Sequence, residues 1–322
     1  MICAEKPGGP EVLQWKEKQL TVPNKNEVLI KQKRIGLNYI DIYMTSGLYP
    51  FPENQMFVPG CEAAGEIIEC GADVVSFKPG DRVAYVIPGG AYCEERVLPE
   101  DKLVKLPEYI SNDMAAASML KGMTVEYLVN RSAHLNAGDT VLFHAAAGGV
   151  GLIACQWAKS VGAKMIGTVS NEEKSNLAKK MGCEFTINYK NENVYEEVLK
   201  INNNSEINVV YDGVGKDTFE ISLKCLNFRG LMVSFGQSSG MINDVNLHST
   251  FNPKSLYFTR PTLMHYTRNR KELELSSNKL FDKIKKKEIK PNIFKKIKLE
   301  DAADAHKLIQ SRQSLGSIIL KP

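Results

Sequence analysis

The sequence predicts an α/β protein with two domains, an antiparallel β domain and a doubly wound domain around a parallel sheet. Three observations lead to this fold class. The 322 residues are enough for about two domains of ordinary size. Residues 28–104 alternate short strand-like runs with Gly/Pro turns. Residues 140–235 instead alternate apolar strands with helical stretches at the spacing of βαβ units.

The first domain is predicted from strands that are separated by turn residues. Turn pairs such as Pro59-Gly60 and Pro79-Gly80 mark the ends of these strands. Clear examples of the strands are Glu27–Gln32, Ala64–Glu69 and Asp81–Val86. From Ser111 the pattern changes to helical, with Ser111 and Asn112 as capping residues.

The second domain is predicted from five strands and the helices between them. The strands are Thr140–His144, Lys164–Val169, Phe185–Asn188, Ile207–Tyr211 and Leu231–Phe235. After Arg260 a long, Lys-rich helical segment leads to a helix over 301–311 and a final strand, Ser317–Leu320. We expect this strand to return to the first domain. The predicted boundaries are therefore 1–123 for the β domain, 124–260 for the α/β domain and 261–322 for the returning segment.

Composition excludes several classes of protein. Hydrophobic residues make up 43% and charged residues 24%, which is typical of soluble globular proteins rather than disordered, collagen-like or coiled-coil chains. The net charge of +4 is too small to imply a polyanionic partner. The most apolar stretch, Val141–Ala154, is interrupted by His144 and by glycines, so no membrane helix is predicted. The residues Met1–Pro10 lack the pattern of a secretory signal, so a cytoplasmic location is expected. Seven cysteines without a C-x-x-C pair indicate reduced thiols.

A small-residue turn between a strand and a helix is the main functional motif. Ala145-Ala-Ala-Gly148-Gly149-Val150-Gly151 follows the strand Thr140–His144 and begins a helix. Small residues let the backbone approach a pyrophosphate, whose charge is stabilised by the free N–H groups at the helix start. The spacing is A-x-x-G-x-x-G rather than G-x-G-x-x-G, and small residues also serve plain helix–strand packing. Because a second strand follows the helix at the spacing of a βαβ unit, dinucleotide binding is favoured over plain helix–strand packing.

The residues after the second predicted strand favour NADPH over NADH. An acidic residue at this point would bind a free ribose 2′-hydroxyl, whereas neutral and basic residues suit a 2′-phosphate. Here the strand is followed by Ser170 and Asn171, with Lys174 one helical turn later. Glu172 and Glu173 also follow, but their positions suit a helix start that faces water. A solvated Lys174 without a ligand is the structural alternative.

Several motifs together resemble the medium-chain dehydrogenase/reductase superfamily, and more closely its zinc-free quinone oxidoreductases, the NADPH:quinone reductase and ζ-crystallin branch. The motifs are Gly8–Leu13, Ile35–Asp41, Ser46–Pro50, Gly80–Val83, Leu120–Thr124, Phe143–Gly151 and Ser234–Gly236. The resemblance extends over nearly the whole chain. It implies a GroES-like β-rich catalytic domain, a Rossmann cofactor domain and the cofactor NADPH.

The chain departs from the zinc alcohol dehydrogenases of that superfamily. Catalytic zinc needs three protein ligands and structural zinc needs four. Where those enzymes carry a ligand cysteine this chain has Asn38, and where they carry the histidine of Gly-His-Glu it has Gly60-Cys61-Glu62. We therefore expect no metal, with ligation by a Cys61 thiolate as the alternative. The five histidines show no metal spacing and are interpreted as structural.

Loss of the metal changes the expected chemistry. Alcohol oxidation needs help in forming an alkoxide, which zinc provides. A quinone needs less, because its conjugated system spreads the charge that arrives with the hydride. We therefore expect zinc-independent reduction of quinones by NADPH, with enone or alkenal reduction as the alternative. Asn38 and Tyr49 are the candidates to position the acceptor oxygen, and no general base is assigned.

The resemblance also implies which residues bind the cofactor. Those expected at the nicotinamide end are Asn38, Tyr39, Asp41, Thr124 and Tyr127. Those expected at the diphosphate are Gly148, Gly149, Val150 and Gly151. Those expected at the adenosine ribose and its phosphate are Ser170, Lys174 and Tyr189. Phe235, Gly236 and Ser238 would follow a strand facing the crevice, and Arg312 would close over the cofactor. For Tyr39 and Tyr127 a core aromatic role is the alternative, and for Arg312 a surface ion pair.

Two further interpretations concern partners. Residues 279–298 are rich in lysine and could contact nucleic acid, but aromatic residues are sparse there, so a solvated basic face is favoured. A crystallin-like structural protein with low turnover is a further alternative. Relatives of this kind are commonly homodimers, and the apolar runs Leu231–Phe235 and Met241–Leu247 could join two sheets across a two-fold axis.

Overall fold

A computed structural model describes residues 1–17, 19, 21–52 and 55–322. The described residues form fifteen strands and ten α-helices. The strands are β1 (Ile2–Cys3), β2 (Gln14–Trp15), β3 (Glu27–Leu37), β4 (Glu62–Cys70), β5 (Arg82–Val86), β6 (Glu95–Pro99), β7 (Leu103–Lys105), β8 (Thr140–Phe143), β9 (Lys164–Val169), β10 (Phe185–Asn188), β11 (Ile207–Asp212), β12 (Leu226–Ser234), β13 (Tyr257–Thr259), β14 (Ile293–Lys298) and β15 (Ser317–Lys321).

Helices flank these strands, and short irregular turns of helix join some of them. The helices are α1 (Tyr39–Thr45), α2 (Asn112–Tyr127), α3 (Gly149–Val161), α4 (Glu172–Lys180), α5 (Val194–Ile201), α6 (Phe219–Cys225), α7 (Leu247–Phe251), α8 (Leu263–Tyr266), α9 (Arg270–Lys285) and α10 (Ala302–Gln310). Within the described part of the chain, no helix is both long and apolar enough to cross a bilayer.

The chain divides into two compact units. Unit 1 contains residues 1–123, 267–285 and 291–322, and unit 2 contains residues 124–266 and 286–290. The N-terminal segment of unit 1 ends at residue 123. The predicted returning segment, residues 261–322, is divided between the two units, with residues 286–290 in unit 2.

Unit 1 is built on a mostly antiparallel sheet, as the sequence predicts. The strands lie in the order β14-β15-β3-β4-β5-β7, and β6 also pairs with β3. The long strand β3 is central because it pairs with β4, β6 and β15. Its apolar residues Val28, Ile30, Ile35 and Leu37 are buried in the core of the unit.

The last strand of the chain returns to the first unit, which confirms the expectation for Ser317–Leu320. Strand β15 runs antiparallel to β3, with Ile318 opposite Leu37 and Leu320 opposite Ile35. Both strands supply buried aliphatic side chains to the same core. Residues nearly 300 positions apart in sequence are thus neighbours in one sheet.

Unit 2 is a six-stranded parallel sheet in the order β10-β9-β8-β11-β12-β13. Numbered by their order along the chain these strands run 3-2-1-4-5-6, which is the order of the Rossmann fold. The order reverses between β8 and β11, where ligands of such sheets bind beyond the carboxyl ends of the strands. Leu142, Ile166, Val210 and Met232, one from each of four adjacent strands, form the centre of the core. This confirms the predicted doubly wound domain.

The Lys-rich segment after Arg260 differs from the prediction of a continuous helix. Helix α9 ends at Lys285, Lys287 has a positive φ of 60°, and β14 follows. Strand β14 lies at the edge of its sheet with Phe294, Lys295 and Lys296 exposed. Exposed lysines are a common feature of edge strands, where they discourage pairing with another chain, and they hide the strand pattern in the sequence.

The predicted interface segment is also arranged differently. Strand β12 is not an edge strand, because β13 pairs with it in parallel. Residues 241–246 lie outside regular structure, and α7 begins at Leu247. The exposed edge of the six-stranded sheet on this side is therefore β13, which has only three residues and no clear alternation of polar and apolar side chains.

Candidate functional site

The turn between β8 and α3 has the geometry of a phosphate cradle. The chain leaves β8 through His144 and enters the left-handed region at Ala145, which has a φ of 58°. The N–H of Ala146 donates to the carbonyl of Thr168 at 3.1 Å, and that of Gly148 donates to the carbonyl of Ala145 at 3.0 Å. The turn is therefore fixed to the end of β9 and closes on itself directly before α3.

Gly151 lets the helix lie directly against this turn. A Cβ atom at this position would lie 2.5 Å from the carbonyl oxygens of both Ala145 and Ala146, so a side chain does not fit. The N–H groups of Gly149, Val150 and Gly151 belong to the first turn of α3, where a helix supplies no acceptors of its own. Gly148, Gly149 and Val150 are half-buried and so remain accessible. An anion at this helix start would receive N–H groups and the positive end of the helix dipole, so the cradle fits a diphosphate.

The residues expected at the adenosine ribose lie on adjacent strand ends. Ser170 follows β9, Tyr189 follows β10, and the N–H of Tyr189 donates to the carbonyl of Val169 at 3.1 Å. Ser170 is half-buried and Tyr189 is exposed. The pairing of β9 with β10 therefore brings Ser170 and Tyr189 to the same edge of the sheet.

Helix α4 begins beside these residues. The Asn171 side chain accepts from the N–H of Lys174 at 2.9 Å and so caps the helix. Glu172 and Glu173 are exposed, whereas Lys174 is half-buried. The two carboxylates are placed as expected for a solvated helix start, and the lysine lies one turn from Ser170.

In the half of the sheet that contains β11 and β12, the segment after β12 packs closely on the segment after β11. A Cβ atom on Gly236 would lie 2.5 Å from the carbonyl oxygen of Gly213. The N–H of Phe235 donates to the main-chain carbonyl of Asp212, and that of Ser238 donates to the carbonyl of Gly213. Phe235, Gly236 and Ser238 are half-buried at the carboxyl ends of the strands, the edge where ligands of such sheets bind.

Thr124 and Tyr127 are less accessible to a ligand than the residues at the carboxyl ends of the strands. Thr124 is 7% exposed and Tyr127 is 1% exposed. The ring of Tyr127 stacks on that of Tyr266 with centroids 4.3 Å apart. This is the core aromatic arrangement that the sequence left open for Tyr127, and it leaves little of the ring for a ligand.

In unit 1, Asn38 belongs to a buried charged cluster. Its amide Nδ2 donates to Glu62 Oε1 at 2.8 Å, and the Lys121 ammonium lies 3.1 Å from the same oxygen. Lys121 also donates to the carbonyl of Leu37, and the N–H of Leu120 donates to Glu62 Oε2 at 2.7 Å. A carboxylate only accepts hydrogen bonds, so the Asn38 atom that faces it is the amide nitrogen.

Cys61 lies next to this cluster and is fully buried. Burial raises the pKa of its thiol well above the usual range, and the nearby Asp41 carboxyl raises it further. Such surroundings disfavour the thiolate, which is the form that metal ligation requires. Among the described residues, no group of three or more His, Cys, Asp or Glu side chains is placed to hold a metal ion.

Asp41 is also fully buried, and it links α1 to a second polar group. Its carboxyl accepts from the N–H of Asn38 at 2.9 Å and from the Tyr92 hydroxyl at 3.2 Å. The Tyr92 hydroxyl also lies 3.0 Å from His306 Nε2. Burial raises the pKa of Asp41 to about 7, although the Asn38 N–H opposes this. Burial lowers the pKa of His306 to about 4, so this histidine is neutral at physiological pH.

Aromatic rings connect Tyr39 to Tyr49 through Tyr43. The ring centroids are 6.2 Å apart for the first pair and 5.5 Å for the second. The Tyr39 hydroxyl donates to the carbonyl of Ile309. Burial raises the pKa of Tyr39, and the charge of Arg312 opposes this rise, which places the guanidinium near α1. Arg312 itself is exposed and has a φ of 58°.

The predicted site residues thus form two groups. Asn38, Tyr39, Asp41, Tyr49 and Arg312 lie around α1 in unit 1, whereas the others lie along the carboxyl edge of the unit 2 sheet or on α2. Sequence reasoning missed Glu62, Lys121, Tyr92 and His306 as partners. Lys121 stands within the motif Leu120–Thr124, and Glu62 stands within the Gly60-Cys61-Glu62 departure from the zinc enzymes, so both positions could have drawn attention. The Tyr92–His306 contact spans 214 positions and leaves no local signal.

The two units match known domain families. Residues 24–108 match the alcohol dehydrogenase GroES-like domain, and residues 149–282 match the zinc-binding dehydrogenase domain. Together with the sheet order and the glycine-rich cradle, these matches define a medium-chain dehydrogenase/reductase.

Whole-chain comparisons narrow the class. The chain is 48% identical to the quinone oxidoreductase of Pseudomonas aeruginosa, covering 98% of this chain and 97% of that protein. It is 40% identical to a Burkholderia 2-haloacrylate reductase, covering 98% and 97%. The crystal structure of Escherichia coli quinone oxidoreductase complexed with NADPH superposes with a TM-score of 0.96 at 46% identity, covering 100% and 99%. The chain belongs to the quinone oxidoreductase family.

The buried Asp41 leads to a prediction about stability. A carboxyl whose pKa is raised in the folded protein contributes stability while it is protonated, and this contribution is lost as the pH rises towards the folded pKa. We expect the free energy of unfolding of Asp41→Asn, relative to wild type, to rise from about pH 4 to about pH 7 and then level off. The slope should not exceed about 1.4 kcal/mol per pH unit. Urea unfolding across this range measures it.

Asp304→Asn is the control, because it changes an exposed carboxyl on α10. Parallel pH profiles for Asp41→Asn and wild type would show that the buried carboxyl does not hold a proton in the folded state.

Proposed function

We propose that this chain is an NADPH-dependent quinone reductase that transfers hydride to an electron-poor conjugated carbonyl acceptor. The observation that carries the proposal is the cradle at the start of α3, at the point where the order of the parallel sheet reverses. Similarity to quinone oxidoreductases over nearly the whole chain supports the same activity. When bound, NADPH supplies the hydride. The residues of this chain hold the dinucleotide and orient the acceptor.

The N–H groups at the start of α3 hold the diphosphate, with Gly149 and Val150 nearest to it. Ser170, Lys174 and Tyr189 hold the adenosine ribose and its 2′-phosphate. Ser170 offers a hydroxyl and Lys174 a cation, and both favour a doubly charged phosphate over a free hydroxyl. The similarity to a structure complexed with NADPH supports this choice.

Tyr49 and Asn38 have different roles at the acceptor. The amide nitrogen of Asn38 is engaged by Glu62 and also points to the carbonyl of Gly36 at 3.4 Å, so it does not donate to the acceptor oxygen. Asn38 is therefore a positioning residue, and Tyr49, which is half-buried, is the remaining candidate to donate to the acceptor oxygen. This refines the expectation that either side chain could do so.

The reaction needs no metal. Glu62 is paired with the Lys121 ammonium and accepts a hydrogen bond from the Asn38 amide, so a metal cation would have to displace both. Burial disfavours the thiolate form of Cys61. A conjugated acceptor delocalises the charge that a metal would otherwise stabilise.

Reduction of an activated carbon–carbon double bond is the second candidate reaction, because the chain is also similar to a 2-haloacrylate reductase over its whole length. A haloacrylate, like a quinone, is a conjugated acceptor of hydride. A cytoplasmic location is in line with the seven free cysteines.

The chain forms a homodimer through the β13 edge. This edge presents unpaired backbone groups, and Tyr257 and Phe258 are exposed on it. Phe228 and Leu247, which are also exposed, belong to neighbouring elements of the same unit. Two β13 edges related by a two-fold axis would extend the sheet and cover these apolar side chains.

The first prediction tests the reaction and its independence of metal. Oxidation of NADPH should proceed with quinones after exhaustive chelation, and alcohols should give no reaction. Tyr49→Phe should lower kcat by about tenfold, since one hydrogen bond to the acceptor is lost. Steady-state assays over quinones, alkenals and alcohols measure this. Activity that disappears on chelation and returns with zinc would contradict the proposal.

The second prediction concerns the choice of nucleotide. Lys174→Ala should weaken NADPH by about tenfold or more, because a charge-assisted contact contributes roughly 1.5–3 kcal/mol, and it should leave NADH unchanged. Ser170→Asp should invert the preference by repelling the phosphate and accepting from the free ribose. The measurement is kcat/KM for both nucleotides at fixed ionic strength. Lys179→Ala is the control, since Lys179 is an exposed lysine at the far end of α4.

If neither substitution at 170 or 174 changes the ratio of the two kcat/KM values, these residues do not read the 2′-phosphate.

The third prediction concerns assembly. Sedimentation should give the mass of two chains at micromolar concentration. Tyr257→Glu should lower that mass towards one chain, because it places charge on the β13 edge. Val75→Glu, which changes an even more exposed apolar residue in unit 1, should leave the dimer intact. A single-chain mass for the wild type would rule the dimer out.

A further inference from the structure

A buried chain of polar side chains crosses unit 2 at the carboxyl ends of β8, β9 and β11. It consists of Asp212, Ser222, His144 and Thr168, all at most 2% exposed. The group lies beside the point where the strand order reverses, between β8 and β11. The proposed reaction assigns no role to it, and four buried polar side chains in one place call for an explanation.

The donor and the acceptor of each hydrogen bond in this polar group can be assigned by starting from Asp212. Its carboxylate accepts from the N–H groups of Val214 at 2.8 Å and Gly215 at 3.0 Å, and from the hydroxyls of Thr218 and Ser222, the latter at 2.8 Å. Because a carboxylate only accepts hydrogen bonds, the Ser222 hydroxyl donates to Asp212. Ser222 must then act as an acceptor towards His144.

His144 therefore carries its proton on Nε2. This atom lies 3.0 Å from the Ser222 hydroxyl oxygen. Burial lowers the pKa of His144, although the charge of Asp212 opposes this, so the ring is neutral and has a single N–H. Its Nδ1 is then an acceptor, and the Thr168 hydroxyl at 3.1 Å donates to it.

The Thr168 hydroxyl is thereby oriented towards the cradle. Since its proton points to His144, its oxygen faces the N–H of Ala145 as an acceptor, at 3.2 Å. The carbonyl of Thr168 accepts from the next N–H, that of Ala146. Two consecutive N–H groups of the turn are thus held by one residue.

Ala145 is the residue of the turn that most needs such support. Its φ of 58° is unfavourable for a residue with a Cβ atom. Its carbonyl oxygen accepts from Gly148 and lies against the Cα of Gly151. A shift of Ala145 would therefore move the residues on which the start of α3 rests.

We propose that His144, held by Asp212 and Ser222 as the neutral Nε2–H tautomer, is a positioning residue for the dinucleotide cradle. It acts by orienting the Thr168 hydroxyl, which holds Ala145 in its left-handed conformation. The inference rests on the proposed function, because the ligand of the cradle is the diphosphate of NADPH.

Paired substitutions at Thr168 test the last link. Thr168→Val keeps the shape of the side chain and removes the hydroxyl, whereas Thr168→Ser keeps the hydroxyl. We expect Thr168→Val to raise the Kd and KM for NADPH by about tenfold, the equivalent of about 1.4 kcal/mol, with kcat unchanged. Thr168→Ser should stay within about twofold, or roughly 0.4 kcal/mol. Fluorescence titration and thermal unfolding are measured on both. Lower thermal stability of Thr168→Val with an unchanged Kd would mean a purely structural role and would overturn the proposal.

Substitutions of His144 separate the contributions of its two hydrogen bonds, to Thr168 and to Ser222. Asn at this position can place an acceptor near Thr168, whereas Gln can place a donor near Ser222. We expect His144→Asn to bind NADPH nearly as wild type does and His144→Gln to bind it less tightly. The opposite order would overturn the proposal, as would equal affinities. This pair decides the matter if Thr168→Val does not fold.

The tautomer is measured on the ligand-free protein by nitrogen NMR of labelled histidine. The expected result is a protonated Nε2 and an unprotonated Nδ1 for His144. A protonated Nδ1 would refute the assignment whether or not NADPH binds. A wild-type protein that shows this tautomer but has no affinity for NADPH would refute the proposed function instead, so the two failures are distinguishable.

Discussion

The contact between Gly151 and the turn at Ala145 is the constraint on which unit 2 depends. Because no side chain fits between the Cα of Gly151 and the two carbonyl oxygens, the first turn of α3 lies directly against the turn that follows β8, and its first N–H groups lie at the carboxyl edge of the sheet. A larger residue would push the helix away and turn those groups elsewhere. The same contact keeps the helix start free of a side chain at the point where the strand order reverses.

Unit 1 uses a glycine in a comparable way. A Cβ atom on Gly36 would lie 2.3 Å from both the carbonyl oxygen of Ala116 and Glu62 Oε1. The absence of a side chain lets a buried carboxylate approach the backbone of β3. Burial of an ion pair such as Glu62–Lys121 costs desolvation energy that the pairing recovers only with good geometry. Here both carboxylate oxygens and the ammonium have further partners, so the cluster fixes Asn38 in one orientation.

Local pattern was sufficient to predict the elements whose signals lie within about ten residues. Strands β9 and β10 have the predicted bounds, and the cradle lies where the small residues indicate. The return of β15 to the first unit was also expected from the sequence, in which a short apolar run ends the chain. Strands β13 and β14 were missed because they are exposed edge strands, where neither burial nor alternation marks the pattern.

The partners of the site residues were harder to predict than the residues themselves. Asn38 and Asp41 stand in a recognisable motif, but Glu62, Lys121 and Tyr92 meet them only through the sheet of unit 1. The same holds for His144, which sequence reasoning took as structural because no partner motif adjoins it. Its partners Thr168, Asp212 and Ser222 come from three different elements. Such contacts depend on strand order, which becomes visible only in the folded chain.

Asp212 and Asp41 are both buried carboxyl groups, and a comparison of their hydrogen-bond donors shows how surroundings decide what such a group does. Asp212 accepts from two N–H groups and two hydroxyls, so its charge is dispersed and it can direct the hydrogen bonds of its neighbours. The donors to the Asp41 carboxyl are one N–H group, one hydroxyl and the Cys61 thiol. At Asp41 the desolvation that accompanies burial outweighs these hydrogen bonds and raises the pKa to about 7. One carboxylate therefore serves as a fixed acceptor that sets a chain of orientations, whereas the other is poised to exchange a proton near neutral pH.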